Sequence, residues 1–351
     1  MKRLANREWE SNLTSHIEAF RRGKHGKQPS ESPRNRPMPL TRRKAMRHCT
    51  LVGFVALLLC GVVLAAIAQE QKRSRGYPPN LPGAKIESYK TVGDVKLNLY
   101  VFNPEGHQAS EKRPAIVFFF GGGWTGGSPG QFEQHCKYLA DRGMVAITAD
   151  YRVASRHNVK AVHCVADAKS AIRYVRANAA KLGIDPSRIA AGGGSAGGHL
   201  AACTGVIDGL EESGEDTSVS SVPNALVLFN PALVLAPVEG IDQVASARKN
   251  RGDFAARMGT DPENLSPYHH VKKGAPPTII FHGKADSTVP YASAEAFTRA
   301  MEQAGNRCTL AGYEGQAHGF FNYGRGGGEY YTKTVQAMDD FLVSLGYLTA
   351  R

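Results

Sequence analysis

The chain has 351 residues, 42% of them hydrophobic and 21% charged, with a formal net charge of +12; that length allows one large domain of about 250 residues with flanking segments. Residues 1–68 hold 13 Lys and Arg against four Asp and Glu, which leaves the remainder with 30 basic and 27 acidic residues. A nearly balanced body without a basic stripe interleaved with aromatics excludes a nucleic-acid partner.

Residues 1–40 are polar, rich in Arg and Pro, and lack apolar periodicity. They read as a disordered extension or as sequence upstream of the true start, with Met38 and Met46 as candidate starts. The basic stretch "TRRKAMRH" (41–48) leads into "TLVGFVALLLCGVVLAAIA" (50–68), which closes on the small-x-small pattern Ala66-Ile67-Ala68. This order predicts a signal peptide over 41–68, cleaved after Ala68. The alternative is an uncleaved anchor, for which the apolar stretch is just long enough. Both readings place the body outside the cytoplasm, periplasmic or extracellular, and touch a membrane only through residues 50–68. Thr41-Arg42-Arg43 also resembles a twin-arginine signal, with Ala45 where a bulky apolar residue is usual. Leu59 is too large for a lipobox ending at Cys60. Residues 69–84 read as a linker, and 85–351 as the folded domain.

"KIESYKTVGDVKLNLYVF" (85–102) alternates, with Val95, Leu97, Leu99 and Val101 on one side and Lys96, Asn98 and Tyr100 on the other. The turn Val92-Gly93-Asp94 predicts an antiparallel hairpin. Continuous apolar runs follow at 114–120, 144–151, 188–194, 225–230, 277–283 and 308–314. Amphipathic stretches such as 159–182 separate most of them. Unbroken apolar strands alternating with helices predict a mostly parallel sheet covered on both faces. Residues 209–221 read as a polar surface loop, and 232–275 as an irregular insertion suited to a lid. The cysteines beyond the leader, at 136, 164, 203 and 308, have no metal-ligand spacing and sit in apolar-periodic segments. They read as buried thiols, although export permits a disulfide.

The third run ends in Gly193-Gly194-Ser195-Ala196-Gly197, a G-x-S-x-G pattern between a predicted strand and a helix. That context sets a nucleophile on a tight turn above the sheet. A phosphate-binding turn is the competing reading, and the Gly-Lys-Ser/Thr ending it needs is absent. The base and its orienting acid are expected on later loops at the carboxyl end of the sheet. Asp286 follows the run at 277–283 and His318 follows the last run, in the order Ser195, Asp286, His318. His282 is a competing base, but it lies close to the strand end, where packing beneath the loop is expected. The glycines at 121–123 follow an earlier strand. The backbone N–H groups of Gly122, Gly123 and Ala196 are therefore expected to form an oxyanion hole.

"GGGW" (121–124), "DYR" (150–152), "GGGSAGGHLA" (192–201), "HGKAD" (282–286) and "AHGFF" (317–321) together resemble the α/β-hydrolases of the hormone-sensitive-lipase-like and bifunctional xylan acetyl/feruloyl esterase group, over roughly residues 85–345. The resemblance implies an α/β-hydrolase fold and places the family's Ser, Asp and His on Ser195, Asp286 and His318. It also places the oxyanion donors on Gly122, Gly123 and Ala196. Position 120 is Phe where the family's usual motif has His. Gly194 precedes the serine, as in the xylan-esterase-like branch, where lipase-like members carry Asp. The implied function is an exported serine carboxylesterase without metal or organic cofactor, acting on a small-molecule or carbohydrate-linked acetyl or feruloyl ester, with Trp124 and Phe320 touching substrate. Two other readings stay open. One is an amidase or peptidase on the same triad; the other is a membrane-anchored binding protein that keeps the hydrolase fold.

Overall fold

Eight strands form one sheet in the order β1-β2-β4-β3-β5-β6-β7-β8. They are β1 Lys85–Val92, β2 Val95–Phe102, β3 Arg113–Phe119, β4 Val145–Ala149, β5 Ile184–Gly194, β6 Ala225–Phe229, β7 Thr278–Gly283 and β8 Cys308–Tyr313. The computed structural model describes residues 77–351. The expectations for 1–40, for 41–68 and for most of the linker lie outside the described residues. β1 pairs antiparallel with β2 and β2 with β4, and every later pairing is parallel. This is the mostly parallel sheet with an antiparallel hairpin at its start that the apolar runs and the alternating segment predict. The hairpin closes through Gly93 and Asp94, with Val92 opposite Val95. Gly93 there takes a positive φ of 54°.

Six helices of eight residues or more cover the sheet: α1 Glu133–Asp141, α2 Ala161–Ala177, α3 Ala196–Val206, α4 Arg251–Met258, α5 Tyr291–Gln303 and α6 Glu329–Ser344. The period-2 geometry of the strands sorts their side chains between two cores. Leu97, Leu99, Val117 and Phe119 pack with α2, α3 and α5 on one face. Tyr100, Phe102, Ile116 and Phe118 pack with α1 and α6 on the other. Tyr100 is therefore as buried as Leu99. The alternation in β2 separates two cores rather than core from solvent. The four described cysteines are buried and unpaired.

The second core contains one misfit. His135 of α1 is fully buried among Phe132, Phe229 and Tyr331, with ring centroids 5.0, 5.4 and 4.9 Å away. Neither ring nitrogen has a hydrogen-bond partner among the described residues. Burial pulls its pKa down to about 3. The unfolded chain therefore binds a proton near the ordinary imidazole value that the folded chain refuses. Stability contributed by the neutral ring is complete above that value and is lost as pH falls toward 3. His135→Phe removes this loss. Its stability relative to wild type is expected to widen by about 2 kcal/mol between pH 7 and pH 5. Urea unfolding at the two pH values measures this, and a constant difference would show that the ring is not held neutral.

Candidate active site

β5 ends at Gly194 and α3 begins at Ala196, so Ser195 occupies the turn between them with φ 55° and ψ −117°. A serine at positive φ is strained and must be held by its surroundings. Its N–H donates to the Phe229 carbonyl at 2.9 Å, and its carbonyl accepts from His199 N at 2.9 Å. The close packing of α3 against the sheet explains the glycines. A Cβ on Gly197 would lie 2.0 Å from the Phe119 carbonyl oxygen.

The loops after β7 and β8 bring Asp286 and His318 to this serine. His318 Nε2 is 2.9 Å from Ser195 Oγ, and His318 Nδ1 is 2.7 Å from Asp286 Oδ2. The His318 side chain is about a quarter exposed, whereas the Asp286 carboxylate is sealed from solvent. Asp286 Oδ1 accepts the backbone N–H groups of Thr288 and Val289, each at 2.9 Å. Burial by itself raises a carboxyl pKa. Hydrogen bonds from His282 and His318 and the Val289 amide outweigh it and hold Asp286 well below the ordinary carboxylate range. An ionised Asp286 keeps the proton of His318 on Nδ1 and leaves Nε2 as the acceptor toward Ser195. His282, the competing base, is fully buried beneath this loop, where its Nε2 contacts the Val289 carbonyl at 3.0 Å and Asp286 Oδ2 at 3.3 Å.

The glycine loop after β3 closes over the same point. Gly121 N donates to Gln131 Oε1 at 2.6 Å. Gly122 has φ +135°, and a Cβ there would sit 2.2 Å from the Gly126 carbonyl oxygen. The carbonyl of Gly122 accepts from Thr125 and Gly126, which locks the turn. The amides of Gly122, Gly123 and Ala196 border the pocket, and none donates to another described residue. Phe120 is fully buried and stacks on Tyr151, with centroids 4.1 Å apart and planes 17° apart. The Tyr151 hydroxyl donates to the Phe120 carbonyl at 2.6 Å. Tyr151, the middle residue of "DYR", thus ties down a loop that lacks the family's histidine. Phe120→Ala is expected to lose about 3–5 kcal/mol of stability by opening a cavity, and Phe120→His clearly less. Both are expected to retain turnover, since the backbone donors remain. Melting temperature and kcat check this; an alanine variant as stable as wild type would refute the packing role.

A pocket of about 380 Å³ opens above Ser195. Trp124 lines it, almost wholly buried and at φ 61°. Its indole N–H donates to His199 Nδ1 at 3.1 Å, while His199 Nε2 contacts the Leu265 carbonyl at 2.7 Å. Burial lowers the His199 pKa to about 4, so the ring stays neutral and Nδ1 remains an acceptor. Phe320 requires a correction. It faces away from the pocket into the second core, against Tyr313 and Tyr330 with centroids 5.0 and 5.9 Å away. Phe321 lines the pocket in its place, with its ring against Gly194, the residue before the serine. The insertion between β6 and β7 supplies another wall through Val244, Ser246 and Arg257.

Sequence reasoning missed a polar chain under the site. Gln131 Nε2 donates to Asn322 Oδ1 at 2.9 Å, Asn322 Nδ2 to the Gly319 carbonyl at 2.8 Å, and Gly319 N to Asn230 Oδ1 at 3.0 Å. These contacts join the glycine loop to the histidine loop. Asn230 carried a signal, a lone amide closing the apolar run "ALVLFN". Gln131 and Asn322 carried none, because their partners lie 10 and 191 residues away.

Known proteins share this arrangement of strands. The family model for BD-FAE matches residues 99–301. A probable isoprenylcysteine alpha-carbonyl methylesterase of Oryza sativa subsp. japonica is 32% identical over 217 residues, 59% of this chain and 51% of that protein. The chain thus spans about half the length of that curated relative. Esterase 2 of Thermogutta terrifontis, solved with butyrate bound, is 54% identical with a TM-score of 0.74, covering 79% of this chain and 99% of that one. The same esterase phosphonylated by sarin is 52% identical with a TM-score of 0.76, covering 79% and 100%.

Proposed function

The chain belongs to the BD-FAE family of α/β-hydrolase esterases, and from that premise we propose that it is a serine carboxylesterase working through an acyl-Ser195 intermediate. One observation carries the reading: Ser195 Oγ, His318 and Asp286 form a continuous relay with links of 2.9 and 2.7 Å. Ser195 Oγ attacks the ester carbonyl carbon while its proton passes to His318 Nε2. The carbonyl oxygen takes up the negative charge, which the amides of Gly122, Gly123 and Ala196 stabilise. Collapse breaks the bond to the alcohol oxygen, which leaves with the proton from Nε2. Water then attacks the acyl-serine, gives its proton to Nε2, and the acid departs as that proton returns to Ser195 Oγ. Asp286 orients the imidazole and stabilises its charged form throughout.

The butyrate bound to an esterase 54% identical to this chain supports a short acyl group, as does the modest pocket volume. An esterase at 52% identity that is phosphonylated by sarin supports a reactive nucleophile. Within this class we infer carbohydrate-linked acetyl or feruloyl esters as substrates, on the family alone. Acetyl, butyryl and feruloyl esters assayed beside one anilide test the reading. Turnover of the esters with the anilide far slower is expected; equal turnover of the anilide indicates an amidase, and hydrolysis of none overturns the assignment. Export rests on the order of residues 41–68 and is likewise a proposal. Mass spectrometry of the protein from its host is expected to find Gln69 at the amino terminus, and an intact leader in the membrane fraction would establish the anchor instead.

A further inference from the structure

We propose that the pocket selects esters carrying a carboxylate, and that Arg257 of α4 is the group that recognises it; the proposal rests on the esterase reading above. Arg257 lines the pocket, with its guanidinium over the rings of Trp124 and Phe254 at 5.6 and 5.3 Å from their centroids. Arg257, Trp124, the oxyanion glycines and Ser195 line the same pocket. Arg257 Nε is buried without a hydrogen-bond partner, and the side chain forms no ion pair with a described carboxylate. Arg176, also half-buried without a described carboxylate partner, is satisfied instead by the Pro186 and Ser220 carbonyls and by Asn224 Oδ1. Three further inward-packed arginines have carboxylate partners. Arg142 is paired with Asp339, Arg152 with Asp167 and Arg173 with Glu211. Burial is the one influence resolved on the Arg257 proton equilibrium, and it lowers it. A guanidinium nevertheless stays charged at any accessible pH.

A half-buried cation without a partner is costly, and an anion that reaches it recovers that cost. No Asp or Glu is among the residues lining the pocket, whereas a second arginine, Arg325, stands on the histidine side. Arg325 is exposed, and its guanidinium lies over Gly319. Asn230 Nδ2 is a further buried donor in the same pocket without an acceptor among the described residues. A planar guanidinium matches a carboxylate through two parallel N–H donors. The carboxylate can belong to either half of the ester, as a hemi-ester of a dicarboxylic acid or as an acyl ester of an acidic alcohol.

Two substrate pairs separate these sources. The first sets 4-nitrophenyl hydrogen adipate against 4-nitrophenyl hexanoate, and the second sets 4-acetoxybenzoate against its methyl ester. The wild-type enzyme is expected to favour the charged member of at least one pair by about ten- to a hundredfold in kcat/KM, the range of one charge-assisted hydrogen bond, and chiefly through KM. Arg257→Met keeps the apolar stem over Trp124 and is expected to abolish that preference, while Arg257→Lys retains part of it. A wild-type preference for the neutral member in both pairs overturns the proposal, and this outcome needs no variant to fold. Preference undiminished in Arg257→Met overturns it as well. Hydrolysis of no ester at all defeats the esterase reading and this proposal together, whereas neutral turnover without charge preference defeats this one alone.

Discussion

Ser195→Ala is expected to lower kcat by about 10⁶ while leaving the fold unchanged. Alanine occupies the same space on the turn, and the backbone contacts that hold the turn, Ser195 N to the Phe229 carbonyl and His199 N to the Ser195 carbonyl, do not involve the hydroxyl. What disappears is the atom that His318 Nε2 faces at 2.9 Å. No covalent intermediate then forms, and about 8 kcal/mol of barrier reduction is lost. Residual hydrolysis comes from the backbone amides alone. The comparison is kcat for a short acyl ester together with the melting temperature. A correctly folded variant within tenfold of wild type would falsify the mechanism.

Asp286→Asn is expected to slow turnover by about 10⁴. The reason lies in the two backbone donors on Asp286 Oδ1, from Thr288 and Val289. They demand an acceptor, so an asparagine at this position turns its oxygen toward them and its NH₂ toward His318 Nδ1. The imidazole must then carry its proton on Nε2, where it cannot accept one from Ser195. Asparagine is nearly isosteric with aspartate, so the loss comes from the wrong tautomer rather than from a collapsed loop. Pre-steady-state acylation should slow as much as steady-state turnover. A loss below about tenfold would place the orienting acid elsewhere.

Most of the architecture was legible because each element carries its own local signature. The six apolar runs after the hairpin became β3 to β8, and the inner strands among them are buried on both faces and need no polar alternation. Ser195, Asp286 and His318 were legible because each follows such a run, and strand ends are where this topology opens a site. The boundaries of the glycine loop were equally readable, since Gly122 sits at a φ and a close approach that other residues cannot match.

The side-chain environment was not legible in the same way. Phe320 and Phe321 are adjacent and chemically identical, and only their packing in the folded chain decides which one meets the pocket. The replacement of the family's histidine by Phe120 left the support of the loop open until Tyr151, 31 residues away, proved to hold its carbonyl. Arg257 is one basic residue among many in the sequence; that no described carboxylate pairs with it is visible only once α4 is folded against Trp124. Composition, periodicity and spacing determined the class of fold, the nucleophile turn and the order of the site residues, because local backbone rules set them. Which polar groups meet, which are left without a partner and which ring faces the substrate were decided by tertiary structure, because hydrogen bonds and burial depend on residues far apart in the chain.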